Sequence, residues 1–172
     1  MKKMVAMVAA MITMISFAYA EYAFAGDAVT KFVYLDLPDN WYIEEIDGAP
    51  TIIKTDYYNR PTFQAFFEEL PIEGKSFDDI VAEYDTYFQN FISIQKLTRG
   101  LKIANTTEVP FSNYTLQYAF GVQMTEEGRF FVALSAIPGN GAILRIIMVS
   151  NDSYHVRDDI DWLLSLVVPA EE

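Results

Sequence analysis

Apolar and polar residues alternate most regularly in YTLQYAFGVQM, residues 114–124. Tyr114, Leu116, Tyr118, Phe120, Val122 and Met124 share one side, and Thr115, Gln117, Ala119, Gly121 and Gln123 share the other. A period of two predicts a strand, because successive side chains leave opposite faces of a pleated backbone. Thr125-Glu126-Glu127-Gly128 then reads as a hairpin turn, and RFFVALSAIP as the returning strand. Pro138-Gly139-Asn140-Gly141 is a second turn signal, followed by AILRIIMVS, a strand apolar on both faces. LTRGLKIANTTEVPF supplies a strand ahead of this meander.

The first half carries the same two-residue period. In KFVYLDLP, Val33, Leu35 and Leu37 alternate with Phe32 and Tyr34, and Pro38 closes the run because it has no N–H to give a central ladder. Asp39 and Asn40 favour a turn, and Trp41 follows as a structural plug returning apolar area to the core. TIIKTDYY and PTFQAFFEEL are further strands, the latter with Phe63, Ala65 and Phe67 on one side.

Two segments switch to helical spacing. Phe77, Ile80, Val81, Tyr84, Phe88, Phe91 and Ile92 form one apolar stripe behind Ser76 and Asp79, which together approach a capping box. Val156, Ile160, Leu163, Leu164 and Val167 form a second stripe, predicting a closing helix over Tyr154 to Val167 that ends at Pro169. The order strands, helix, strands, helix predicts an α+β domain. Its sheet is mainly antiparallel, of about six strands, flanked by helices on one or both faces.

Export is written in the first residues. Lys2 and Lys3 precede the uncharged run Met4 to Phe17, and Ala18-Tyr19-Ala20 offers a cleavage site, with Ala23-Phe24-Ala25 as a second. Residues 1–20 read as a signal peptide cleaved after Ala20 or Ala25, 21–30 as a tether, and 31–172 as a single α+β domain. The apolar run is shorter than the ~20 residues a membrane-spanning helix needs. The chain has no cysteine, which removes a lipobox, disulfides, thiol catalysis and Cys-zinc sites. This combination reads as a bacterial protein, periplasmic or secreted, with no membrane span in the mature chain.

Composition narrows the chemistry further. With 52% hydrophobic and 15% aromatic residues the chain has ample surface to bury. A net charge of −12 repels phosphate backbones and anionic membranes, so nucleic acid is not an expected partner. No P-loop, dinucleotide fingerprint or nucleophile elbow occurs. Glu68 and Glu69 are adjacent on a strand and point apart, so they cannot act as a carboxylate pair. The single histidine, His155, shares a helix surface with Asp158 and Asp159, a conceivable metal or general-base site. A solvated first helical turn, with acids complementing the dipole, explains those residues without chemistry. No catalytic residue, cofactor or metal is therefore assigned.

The segment best suited to contact a partner is TDYYNRP. Tyr57, Tyr58, Asn59 and Arg60 stand in a connection between strands, and Tyr and Arg are favoured interface anchors.

Taken together, LDLPDNW, IIKTD, the helix FDDIVAEYDTYF, the meander and the closing IDWLLSLVV resemble the Mog1/PsbP-like superfamily, which includes periplasmic DcrB-like proteins and photosystem extrinsic subunits. The resemblance covers the order of elements over residues 32–168. It implies an α/β/α sandwich, a central antiparallel sheet between helices, and, since the superfamily shares no catalytic motif, a role in binding or stabilising other proteins. The expectation is a non-catalytic module that docks on another envelope or secreted protein. The alternatives are a carrier holding a small apolar ligand between sheet and helix, and a hydrolase using His155 with Asp159.

Overall fold

The computed structural model describes residues 30–32, 38–46, 49–111, 114–139, 141–165 and 167–169. The expected leader, most of the tether and the run 33–37 lie outside the described residues. A seven-stranded, wholly antiparallel sheet forms the centre of the molecule. In chain order the strands are β1 (Thr30–Phe32), β2 (Trp41–Ile46), β3 (Ala49–Thr55), β4 (Pro61–Pro71), β5 (Lys102–Phe111), β6 (Tyr114–Thr125), β7 (Gly128–Pro138), β8 (Ala142–Ser150) and β9 (Val167–Pro169). The helices are α1 (Phe77–Ala82), α2 (Tyr84–Arg99) and α3 (Val156–Ser165).

The sheet order is β2-β3-β4-β8-β7-β6-β5, so two meanders join where β4 lies beside β8. Helices α1 and α2 carry the chain from β4, inside the sheet, to β5 at its edge. Strands β1 and β9 pair separately, Thr30 opposite Pro169.

The main sheet has seven strands, not about six. The strand that the sequence reading passed over is β2, where Trp41 and Ile43 alternate with Tyr42 and Glu44. Two adjacent acids, Glu44 and Glu45, mask that alternation in the sequence. Trp41 does act as a plug: it is buried, 5.5 Å from Phe63 and 4.3 Å from Trp162 between ring centroids.

Strand β4 buries Phe63, Ala65 and Phe67 as its alternation predicts, and β8 is buried along both faces. Register assigns the helices to different residue parities of the sheet. Arg145 of β8 lies 5.3 Å over Phe91 of α2, and Gln117 of β6 donates to Asp85 of α2. From α3, Asp159 meets Lys54, Trp162 meets Trp41 and Arg157 lies over Phe120. The aromatic content fills these contacts: Phe63, Phe67, Phe88 and Phe91 are among the largest fully buried side chains.

Three helix boundaries differ from expectation. Helix α2 runs on through Leu97–Arg99, which the sequence analysis placed in a strand, until Gly100 closes it at φ 64°, and β5 begins only at Lys102. The first apolar stripe is divided at Glu83, whose backbone (φ −104°, ψ 8°) ends α1 and starts α2. Neither proline nor glycine marks that break. The Glu83 carboxylate instead accepts from Lys75 Nζ at 2.7 Å and from the Tyr87 hydroxyl at 3.1 Å. Ser76 and Asp79 do form the capping box. The closing helix ends at Ser165, and Val167 and Val168, both β-branched, lie in β9.

Candidate functional site

The TDYYNRP connection is the turn between β3 and β4, and Asp56 organises it. Asp56 Oδ1 accepts the N–H of Tyr58 at 2.8 Å and of Arg60 at 2.9 Å. Oδ2 accepts from Arg60 Nε at 2.8 Å and lies 2.6 Å from its terminal nitrogen. Asn59 takes the left-handed conformation the turn requires, with φ 58°. This bonding, led by the Arg60 side chain, holds the Asp56 carboxyl below its ordinary range despite an opposing cost of desolvation. The turn is thus a fixed display. Tyr57 is 93% exposed and Tyr58 72%, their rings edge-to-face at 5.4 Å, with the Arg60 guanidinium 5.2 Å over Tyr58.

Beside this turn lies the connection from β8 to α3. Ser150 and Asn151 tie it down: the Ser150 hydroxyl donates to Thr62 O at 2.9 Å, and Asn151 N–H to the same carbonyl at 3.2 Å. Asp152 then accepts the N–H of Tyr154 at 2.8 Å and of His155 at 3.3 Å, while its other oxygen lies 2.7 Å from His155 Nδ1. Desolvation, the largest single influence, pushes the Asp152 carboxyl up, but the bonds from His155 and Tyr154 together outweigh it and hold the carboxyl below its ordinary range. The Tyr154 ring is 89% exposed.

Between the two loops is an open depression of about 460 Å³. Asp56, Arg60, Pro61 and Thr62 line one side, and Asn151, Asp152, Ser153 and Tyr154 the other. The structure therefore places Tyr57, Tyr58, Asn59 and Arg60 in one exposed turn, in the connection between strands where the sequence put them, and adds a second loop just ahead of the closing helix. The signal available was the repeated Asp-x-Tyr, Asp56-Tyr57-Tyr58 and Asp152-Ser153-Tyr154.

The helix surface expected to join His155, Asp158 and Asp159 is not one site. His155 precedes α3 and pairs with Asp152, whereas Asp159 turns inward, buried, to Lys54 at 2.6 Å. One turn of helix separates an apolar-facing position from a solvent-facing one, and Asp159 falls on the stripe between Val156 and Ile160 and Leu163. Among the described residues, no three His, Asp or Glu side chains gather as metal ligands. Among the same residues, no helix is long and apolar enough to cross a membrane.

No protein-family model and no curated protein matches the chain. Solved structures do. LpqN of Mycobacterium tuberculosis, described as involved in cell envelope biogenesis, is 14% identical, with a TM-score of 0.52 over 86% of this chain and 87% of LpqN. A Bacteroides thetaiotaomicron protein is 8% identical at TM-score 0.52; the match spans 86% of this chain and 50% of that one. PA94 of Pseudomonas aeruginosa, a protein of unknown function, is 11% identical at TM-score 0.52 over 82% and 94% of the two chains. At such identities the likeness is one of fold.

Proposed function

We propose that the chain is an exported, non-catalytic module of the bacterial envelope, periplasmic or secreted, that binds another protein through the end of its sheet formed by the Asp56–Arg60 turn and the Asn151–Tyr154 loop. The observation that carries this reading is the display of three highly exposed tyrosines on loops held rigid by aspartate hydrogen bonds. Tyr offers a large amphipathic contact surface at low cost in conformational entropy, and Asn, Ser and Arg beside it supply adaptable polar contacts. Pre-organised loops reduce the entropy lost on binding. The polar lining of the depression favours a protein partner over an apolar cargo. The fold shared with LpqN is in keeping with a role at the envelope. We retain the Mog1/PsbP-like assignment, with its α/β/α layering, on the order of elements and on helix contacts from both residue parities of the sheet.

The test is photocrosslinking in the native host. A benzophenone amino acid at Tyr58 is expected to yield one discrete protein adduct that the same probe at Thr98, on exposed α2 surface, does not. No adduct at Tyr58, or equal adducts at both positions, overturns the reading.

A further inference from the structure

The two loops flanking the depression are built on one frame, but only one carries its own arginine. In each, an aspartate accepts the N–H of the tyrosine two residues on, at 2.8 Å for both Tyr58 and Tyr154. In the first loop that frame receives a guanidinium: Arg60 meets the Asp56 carboxylate edge-on and lies over the Tyr58 ring. In the second, Asp152 is met by His155 alone, and among the described residues no cation lies over the Tyr154 ring.

We propose that Asp152 and Tyr154 form a receptor notch for an arginine side chain presented by the partner protein. This rests on the protein-binding reading above and specifies the chemistry of the partner. Arg60 shows that one guanidinium can both pair with an aspartate so bonded and lie over the tyrosine two residues on. Arginine suits it better than lysine, since a planar fork pairs with a carboxylate while its face stacks on an aromatic ring. Charge supports the same occupant: a chain of net charge −12 attracts a basic segment and repels an acidic one. Among the described residues lining the depression the only cation is Arg60, which is already engaged by Asp56 and Tyr58 and offers little to an acidic partner. The competing His155–Asp152 pair is exposed, and exposed pairs are weak enough to be exchanged for an incoming guanidinium.

The experiment uses three probes on the mature protein, acetylated hexaarginine, hexalysine and hexaglutamate amides, followed by backbone amide NMR. Hexaarginine is expected to shift Asp152, Tyr154 and His155 most, and hexalysine less. Asp152→Asn keeps an oxygen for the Tyr154 N–H, so the loop folds, and it is expected to weaken hexaarginine binding about tenfold, the loss of one charge-assisted contact. Tyr154→Ser, which keeps the backbone bond, is expected to weaken it severalfold. Asp78→Asn, an exposed acid on α1, is the control and is expected to change little. Shifts spread evenly over the acidic surface, Asp152→Asn matching Asp78→Asn, or hexaglutamate binding at the depression overturn the proposal. The two readings fail separately. Loss of the Tyr58 photoadduct removes the protein-binding face, whereas a photoadduct unchanged by Asp152→Asn removes only the arginine notch.

Discussion

Lys54 of β3 and Asp159 of α3 meet at 2.6 Å across 105 residues of sequence, and the pair is largely shielded from water. The Lys54 ammonium also lies 5.5 Å over the Trp41 ring, so one contact binds the β2–β3 hairpin to the closing helix. Asp159 is the more deeply placed partner, with a side chain 9% exposed against 20% for Lys54. Leaving a buried charge without its counterion costs more than removing the pair altogether. Lys54→Ala is therefore expected to lower unfolding free energy by about 2–3 kcal/mol, as a partly buried case of that rule. Asp159→Asn should cost less, because the lysine stem can carry its head toward water. The double variant should recover part of the loss. Urea denaturation of the four proteins measures the coupling, and additive losses would refute it.

Tyr84 governs a fork in the sheet. The β6–β7 ladder runs from Thr125 opposite Gly128 and stops at Tyr118 opposite Ser135. At the next step the Tyr84 hydroxyl stands in for the missing rung, accepting from Gln117 N–H at 3.1 Å and donating to Ala136 O at 2.9 Å. Tyr84→Phe keeps the ring's packing on Phe88 but orphans two backbone groups. A loss of about 2–3 kcal/mol is expected from leaving buried donors and acceptors unpaired. Hydrogen exchange of the Gln117 amide should quicken locally; unchanged exchange there would refute the bridging role.

The same hydroxyl gives an alkaline signature. Burial, only partly offset by the Gln117 N–H, pushes the Tyr84 phenol from an ordinary value of 10.0 up to about 12. A phenol raised in the folded state favours folding of its neutral form. That contribution is fully present below pH 10.0 and is lost as pH rises toward about 12. Stability should thus fall over this interval, and Tyr84→Phe should flatten that part of the curve. Ultraviolet difference titration of tyrosinate should show one group ionising last in the wild type and missing in the variant.

Much of the fold was legible because β6 keeps a clean two-residue period and turn signals stand at both ends of β7. Leu116 and Tyr118 are buried where alternation put them, and Ser76 caps where its spacing to Asp79 said it would. Strand β2 was missed because Glu44 and Glu45 interrupt its period, and what reveals it is the pairing of Trp41 with Lys54 and Ile43 with Ile52, a tertiary fact. The break at Glu83 depends on side-chain bonds to Lys75 and Tyr87 that spacing alone does not foretell. At the candidate site, the Tyr57–Arg60 turn was visible as a cluster of interface residue types. The Asn151–Tyr154 loop was not, since it lies some 90 residues away and joins the turn only through bonds such as Asn151 Nδ2 to Pro61 O.

Among the described glycines, Gly121 leaves the least room for a side chain. A Cβ there would clash with the carbonyl oxygen of Lys102, beside the irregularity between Ile103 and Asn105 in β5. Backbone cannot yield as a side-chain tip can. Gly121→Ala is expected to cost about 3 kcal/mol or more, at the upper end for overpacking, and to part β5 from β6. Gly100→Ala, with open space around its Cβ but φ 64°, should pay only the smaller strain of a left-handed alanine, about 1 kcal/mol. Thermal unfolding of both variants ranks them, and a reversed order would show that the β5 irregularity is free to shift.

The display turn should loosen in acid. The bond from the Arg60 side chain, with the Arg60 and Tyr58 amides adding to it, lowers the Asp56 carboxyl from its ordinary 3.8. A carboxyl depressed in the folded turn stabilises that turn above 3.8, and the contribution disappears as pH falls through the still lower folded value. The carboxyl carbon of Asp56 is expected to titrate below 3.8 by NMR, and Arg60→Ala should move that midpoint upward. As Asp56 protonates, the Tyr58 and Arg60 amides should lose protection together, because both donate to the same oxygen. Their release at different pH values would mean that Asp56 does not organise the turn, and the Tyr57–Tyr58 display would then need another source of rigidity.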